Sequence, residues 1–280
     1  MTSIDGIADS AGPRRAPAVT RAAAILELLA RTSGVALGVT DIARSLSMAK
    51  SSVSYVCEAL VEAGLARRDG SGYQLGHRLV SLGTAYLDSV DTVSIFHAVC
   101  RELTPSIPET AQLSTLDRLD VTYLARREGV APVRLASDVG RRLVATTTAT
   151  GKAMLAQLPW SEVAARLRAG NPLPALTARS ITDAAGLEAE LARVRATGYA
   201  VDDEETMPGM FCIGRAIPSD DPRGHHYGIS LTMLKSVADD ARIARCRHDL
   251  DLLANAVAER AGLVTRTQPT SRPSAASIPS

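Results

Sequence analysis

Apolar side chains in residues 19–31 fall at Ala22, Ile25, Leu26, Leu28 and Leu29, a near-helical spacing that predicts a first amphipathic helix. A second helix is expected from Thr40, whose hydroxyl can cap it. Ile42, Ala43 and Leu46 share one face of it, and Asp41 stands in the first turn, where the helix dipole favours an anion. After a short break at residues 47–49, Val53, Val56, Cys57, Leu60 and Val61 stand at i, i+3, i+4, i+7 and i+8, the pattern of a third helix with one buried face. Gly64 ends it. Residues 65–68 then alternate, Asp69-Gly70-Ser71-Gly72 turns the chain, and Tyr73, Gln74 and Leu75 return, so a two-stranded hairpin follows. From His77 a helix carries Leu79, Val80, Leu82 and Tyr86 toward Asp91, and another over residues 93–103 ends near Pro105.

Beyond Pro108 the period changes. Residues 110–117 and 121–127 read as strands joined by a turn near 117–120. Helices are expected over 151–158, 161–169 and 184–197, strands over 199–203, 210–217 and 227–233, and a closing helix over 237–261. Strands, then helices, then strands describe a mostly antiparallel sheet with helices packed on it, an α+β arrangement. Both ends are rich in Ser, Thr, Pro, Ala and Gly without an apolar face and read as disordered. The expected organisation is an arm over 1–17, a DNA-binding winged helix-turn-helix over 18–78, a linker helix over 79–92, a larger domain over 93–263 and a tail over 264–280.

Composition narrows the class. A chain of 280 residues with 46% hydrophobic content can bury sizeable cores, and no apolar run reaches the ~18 residues of a membrane span or resembles a leader. A cytoplasmic protein with no membrane partner is expected. Cys57, Cys100, Cys212 and Cys246 are far apart and form neither a disulfide framework nor a common zinc pattern, so reduced thiols are the default and neither cofactor nor metal is called for. The net charge of +1 neither demands nor excludes nucleic acid, but nine basic residues from Arg14 to Arg78 face only five acids.

Three short helices and a two-stranded wing form the winged helix-turn-helix arrangement, whose reading helix enters the major groove of double-stranded DNA. The third helix is the reader. Its inner face is used by apolar residues, leaving Lys50, Ser51, Ser52, Ser54 and Tyr55 at its start as candidate DNA contacts. Hydroxyls, a cation and free backbone N–H groups there suit phosphate and base edges. Glu58 and Glu62, farther along, would repel phosphate, so only the first two turns are expected in the groove. Alternation turns Arg67 and Arg68 to opposite sides of the wing strand, so one of them is expected to meet phosphate. Taken alone, the helix start could be a merely solvated polar surface and the arginines a solvated hairpin tip.

Five segments together carry a resemblance. AKSSVSYVCEALVEAGL, RRDGSGYQLG, TATGKAMLAQLP, GYAVDDEETMPGMFCIG and YGISLT stand in an order and spacing similar to the IclR family of transcriptional regulators, over nearly all of residues 19–262. The resemblance implies a repressor or activator that works as a dimer or tetramer. Its C-terminal sensor domain, GAF/profilin-like in fold, binds a small organic effector, an organic or aromatic acid among the candidates. It also places effector contacts at Ala149, Thr150 and Gly151 at a helix start, at Asp202, at Met210 and Cys212, and at Ser230 and Thr232. Alternation agrees, putting Met210, Cys212, Gly214 and Ala216 on one face of their strand and Ser230 with Thr232 on one face of theirs. A thiol, two hydroxyls, a carboxylate and helix N–H groups suit a small polar or anionic ligand. Each residue also has a plainer reading: Cys212 as core, Asp202 as a turn or cap residue, the hydroxyls as a solvated strand face. With two Phe, one Trp and six Tyr, a site built on aromatic stacking is not expected. Two departures from the family stand out. Ser54 and Tyr55 replace its usual reading-helix pair ending in arginine, and Arg215 interrupts a run of small residues and is expected at a surface or interface.

An enzyme or metal-binding sensor is the alternative, because Asp202, Asp203, Glu204, Glu205, Cys212, His225 and His226 could supply acids, bases or ligands. None of the familiar spacings is present: no H-E-x-x-H, no G-x-S-x-G, and no P-loop around Gly151-Lys152. The acid run reads as a solvated turn and the histidine pair as an exposed loop.

Overall fold

The computed structural model describes residues 16–32, 34–103, 107–130, 138–169, 173–220 and 226–264; the expected terminal arm and tail lie essentially outside them. The chain divides into two compact units with the boundary between Val90 and Asp91.

The first unit contains α1 (Pro17–Arg31), α2 (Val39–Ser45) and α3 (Lys50–Glu62), then the hairpin β1 (Ala66–Asp69) and β2 (Gly72–Leu75), then α4 (Arg78–Asp88). Ile25 and Leu29 of α1, Ile42 and Ala43 of α2, and Val53, Val56, Cys57 and Leu60 of α3 close over Ala66 and Tyr73 in one core. Burying an aliphatic side chain of this kind is worth roughly 1.5–3 kcal/mol, and the helical spacing of these residues is what lets three short helices share that gain. Two details differ from expectation. Thr40 lies inside α2, and the cap position is Gly38, with no side-chain cap bond. Val61 packs only at the edge of the core. Gly64 ends α3 with φ 71°: its N–H donates to the Val61 carbonyl at 2.9 Å and Leu65 N–H to the Leu60 carbonyl at 2.9 Å, which satisfies two of the last helical carbonyls. Helix α4, expected as a separate linker, groups with this unit and buries no residue within it.

In the second unit α5 (Asp91–Leu103) precedes β3 (Thr110–Asp117), β4 (Asp120–Arg127) and β5 (Arg142–Val144); then come α6 (Ala149–Leu155), α7 (Trp160–Ala169) and α8 (Ala184–Thr197). Strands β6 (Ala200–Asp203), β7 (Met210–Ala216) and β8 (Tyr227–Leu234) and helix α9 (Asp240–Arg260) complete it. The sheet runs β5-β4-β3-β8-β7-β6 and every pairing is antiparallel. Short edge strand β5 has no counterpart in the sequence reading. The last helix begins at Asp240 instead of residue 237, because Asp239 caps it by accepting from Arg242 N–H at 2.7 Å, and a 3-10 turn, Lys235–Val237, precedes it. Among the described residues no helix is long and apolar enough to cross a membrane.

Alternation gives the sheet two different faces. Ala111, Leu113, Phe211, Ile213, Ile229 and Leu231 are buried on the side where α9 packs. The other side carries Gly214 and Gly228 under α6. All seven residues of α6 are buried, wedged between the sheet and α8, whose Leu187, Leu191 and Val194 recur at helical spacing. Asp183 caps α8, its carboxylate accepting from Gly186 N–H at 2.8 Å, a bond worth about 1 kcal/mol.

Candidate functional site

Helix α3 turns Val53, Val56, Cys57 and Leu60 inward, so the opposite side of its first two turns faces outward. Lys50 and Ser51 are exposed, Tyr55 is 77% exposed, and Ser52 and Ser54 are half-buried. No side chain caps this helix, and its N-terminus is open to a phosphate or a base edge. Ser52 is held by Arg21 of α1, whose guanidinium donates to its hydroxyl at 3.2 Å. The wing arginines are exposed, and each has a partner within the first unit. Arg67 donates to Gln74, whose amide donates in turn to the Gly34 carbonyl. Arg68 pairs with Glu58 of α3 and lies over the Tyr73 ring, 5.3 Å from its centroid, while the Tyr73 hydroxyl donates to the same Glu58 oxygen at 2.8 Å. Bonds from Arg68 and Tyr73 hold the Glu58 carboxyl below its usual range.

In the second unit a cavity opens between α6 and the sheet, with about 410 Å³ of unfilled space, part of it open to solvent. Pairing brings its polar wall together: Thr232, Cys212 and Asp202 are successive neighbours across β8, β7 and β6, and Gln112 of β3 sits beside Ser230 of β8 in the next row. Of the expected contacts, Ala149, Asp202, Met210, Cys212, Ser230 and Thr232 line the cavity. Thr150 and Gly151 do not. Thr150 is buried over Gly228, and Gly151 is pressed so closely on the Ala145 carbonyl that a Cβ there would come within 2.2 Å of its oxygen. The sequence reading missed Gln112, Tyr123, Leu143, Thr148, Thr206 and Met207. Thr148 did carry a signal, since it precedes a helix and its hydroxyl accepts from Gly151 N–H at 3.2 Å. Tyr123 contributes one aromatic ring to the wall.

Electrostatically the cavity is unusual for its depth of burial. Oδ1 of Asp202 accepts from Glu205 N–H at 2.8 Å and Thr206 N–H at 3.1 Å, so Asp202 both caps the turn after β6 and faces the cavity. Burial raises its pKa, as it does that of Cys212, which therefore stays a neutral thiol and accepts from the Thr232 hydroxyl at 3.3 Å. Behind this wall lies Lys152 of α6, with no exposed surface, paired with Glu205 and, at 3.3 Å, with Glu190 of α8. Desolvation pushes the Glu205 carboxyl up to about 7 even against the pull of that ammonium. The same turn is pinned from outside: the Ser180 hydroxyl donates to the Glu205 carbonyl at 2.7 Å, and the Thr206 hydroxyl to the Thr147 carbonyl at 2.9 Å.

Against this geometry stand the comparisons with known proteins. The chain matches the IclR helix-turn-helix domain over residues 18–70 and the Bacterial transcriptional regulator IclR C-terminal domain over residues 84–259. The chain belongs to the IclR family. As an IclR-family protein it is a DNA-binding transcriptional regulator. It is 34% identical over 242 residues to the HTH-type transcriptional regulator BhcR of Paracoccus denitrificans, covering 85% of this chain and 84% of the relative. To the HTH-type transcriptional regulator XynR of Escherichia coli it is 29% identical over 246 residues, 87% of this chain and 96% of that one. The crystal structure of an IclR transcriptional regulator from Alicyclobacillus acidocaldarius superposes with a TM-score of 0.75 at 27% identity, over 89% of this chain and all of that one. Its architecture is the α+β one expected, a helix-turn-helix followed by an antiparallel sheet with packed helices.

Of the residues that motivated an enzyme reading, Asp202 and Cys212 line the cavity, and the acids beside Asp202 are held in ion pairs and hydrogen bonds. Asp203 pairs with Lys235 at 2.5 Å and Arg179 at 3.2 Å, and Glu204 pairs with Arg179 at 3.3 Å and accepts from Gly209 N–H at 2.8 Å. The His226 carbonyl accepts from Leu116 N–H at 3.1 Å, while His225 lies outside the described residues. Among the described residues no three His, Cys, Asp or Glu side chains gather as a metal site. Arg215, expected at a surface or interface, is half-buried and pairs with Asp251 of α9.

Proposed function

We propose that this IclR-family regulator reads duplex DNA with Lys50, Ser51, Ser52, Ser54 and Tyr55 and responds to a small organic molecule bound in the cavity under α6. The observation that carries the effector reading is the cavity wall itself: Asp202, Cys212, Ser230, Thr232, Gln112 and Thr148 converge there from five different elements. Convergent polar groups in an otherwise apolar recess select a small molecule by its hydrogen bonds. An organic or aromatic acid is compatible with this wall, because its hydroxyl and amide groups can donate to a ligand carboxylate. The reading is of a cytoplasmic regulator, repressor or activator, without catalysis, metal or cofactor.

A thermal-shift screen of small organic acids and hydroxylated metabolites tests it. A ligand present at 100 times its Kd stabilises the folded state by about 2.7 kcal/mol. With the hit in hand, Ser230→Ala and Thr232→Val are expected to melt close to wild type without ligand and to bind it roughly tenfold more weakly, the loss of one or two hydrogen bonds. Equal affinity in both variants would move the ligand elsewhere.

Self-association completes the reading, as a dimer or a tetramer. Leu82 is 52% and Tyr86 53% exposed about one turn apart on α4, a helix that buries nothing in its own unit. Symmetric regulators of this architecture read two half-sites. Leu82→Glu with Tyr86→Glu is therefore expected to lower the mass found by sedimentation velocity and to weaken binding to paired half-sites. An unchanged mass would remove α4 from the interface.

A further inference from the structure

The wing carries two arginines: Arg67 is bonded to the neutral amide of Gln74, whereas Arg68 is paired with a carboxylate. Arg68 on β1 is 56% exposed at its side chain, a position from which a flexible guanidinium ordinarily reaches a DNA phosphate. Its partners are internal. Glu58, eight residues into α3, accepts from Arg68 and is itself fixed by the hydroxyl of Tyr73, a residue only 3% exposed that is the cross-strand neighbour of Arg68 in the hairpin. The Tyr73 ring also forms a surface under the guanidinium. Two contacts thus converge on one cation, and the carboxylate among them, held by Tyr73 as well, has its pKa lowered further by these bonds.

We propose that Glu58 is a positioning residue that sets the sequence-independent part of DNA affinity through Arg68: it neutralises the wing cation internally and keeps it off the phosphate backbone. Contacts to phosphate are sequence-independent and dominate non-specific binding, whereas discrimination comes from base edges. Masking one cation therefore lowers affinity for every duplex by a similar factor and leaves base readout by the start of α3 untouched, which weakens retention on bulk DNA at a given salt concentration. The inference rests on α3 as the DNA-reading helix.

The experiment uses the full chain and a random-sequence duplex of about 30 base pairs, titrated by fluorescence anisotropy across a salt series. Each phosphate newly neutralised steepens the slope of log K against log salt by about 0.9. Arg68→Ala alone is expected to leave the slope as in wild type, with affinity no higher than wild type because Glu58 loses its counter-charge. Glu58→Gln, which keeps the shape and the bond to Tyr73 and removes the charge, is expected to tighten binding severalfold at low salt and steepen the slope by about one phosphate. The double variant Glu58→Gln/Arg68→Ala is expected to return to the wild-type slope. Two results overturn the proposal: a flatter slope for Arg68→Ala alone, which would place Arg68 on phosphate already, or a gain from Glu58→Gln that survives removal of Arg68, which would reduce Glu58 to simple charge repulsion. Should Glu58→Gln fail to fold, the Arg68→Ala slope still decides. Absence of duplex binding by the wild-type chain would instead remove the reading of α3 on which the inference stands.

Discussion

Lys152→Met is expected to destabilise the protein by about 3–5 kcal/mol at pH 8, the usual consequence of removing one partner of a buried ion pair. Lys152 has no exposed surface and its ammonium lies between Glu205 and Glu190, so the methionine would fill the same space but leave Glu205 charged and uncompensated. Glu190 keeps Arg193, at 2.7 Å, whereas Glu205 Oε2 is buried without a hydrogen-bond partner. The sign of the pH dependence follows. Glu205 in the folded chain holds its proton up to about 7, against 4.5 as its ordinary value. Between those values the native state binds more protons than the unfolded one, so this group makes stability fall as pH rises through the window and level off above it. Removing Lys152 removes a group that lowers the Glu205 pKa, which extends the window upward. The loss in Lys152→Met is therefore expected to be smaller at pH 6, where Glu205 can take up a proton, than at pH 8. Denaturant unfolding at both pH values measures this, and Glu205→Gln in the same background is expected to recover much of the stability at pH 8. An equal loss at both pH values, or no recovery, would mean that Lys152 contributes packing alone.

Gly214→Val is expected to be the more damaging change for the cavity. A Cβ at Gly214 would stand 2.7 Å from the Ala149 carbonyl carbon and 2.8 Å from Thr150 N, backbone atoms that cannot rotate away. Helix α6 would have to lift from the sheet, and Ala149 is part of the cavity wall. Overpacking of this kind costs about 1–3 kcal/mol when side chains can adjust, and the upper end or beyond is expected where they cannot. The expected phenotype is a melting temperature lower by several degrees with loss of the ligand response, while the isolated first unit's secondary structure and core are untouched. Thermal unfolding and the thermal-shift screen read the two effects separately. Wild-type stability with an intact ligand response would show that α6 does not need to sit this close to β7.

Relations between near neighbours were legible along the chain. The apolar spacing that predicts α1, α3 and α8 is written within a dozen residues, and the core of the first unit uses nearly all of those side chains. Cys212, Ser230 and Thr232 were reachable because strand alternation and the family resemblance agreed on their faces, Asp202 through the resemblance alone, and the cavity contains all four. Strand β5 escaped notice because three residues at a sheet edge have no period to detect. Thr40 was misplaced as a cap because a threonine beside an apolar run has the right chemistry, while the backbone of Gly38 occupies the cap position.

What the sequence by itself determined is most of the elements, β5 excepted, and the family, because helix and strand periodicity and the motifs are properties of short windows. What only the tertiary structure decided is which polar groups meet. Gln112 faces Ser230 through a pairing that spans more than a hundred residues, and the buried ammonium of Lys152 finds Glu205 fifty-three residues away. Arg68 looks like a free cation until the hairpin folds it back onto Glu58 of the preceding helix. A charge is active or neutralised according to its neighbours within a few ångströms, and that distance is set by packing of segments the sequence keeps apart.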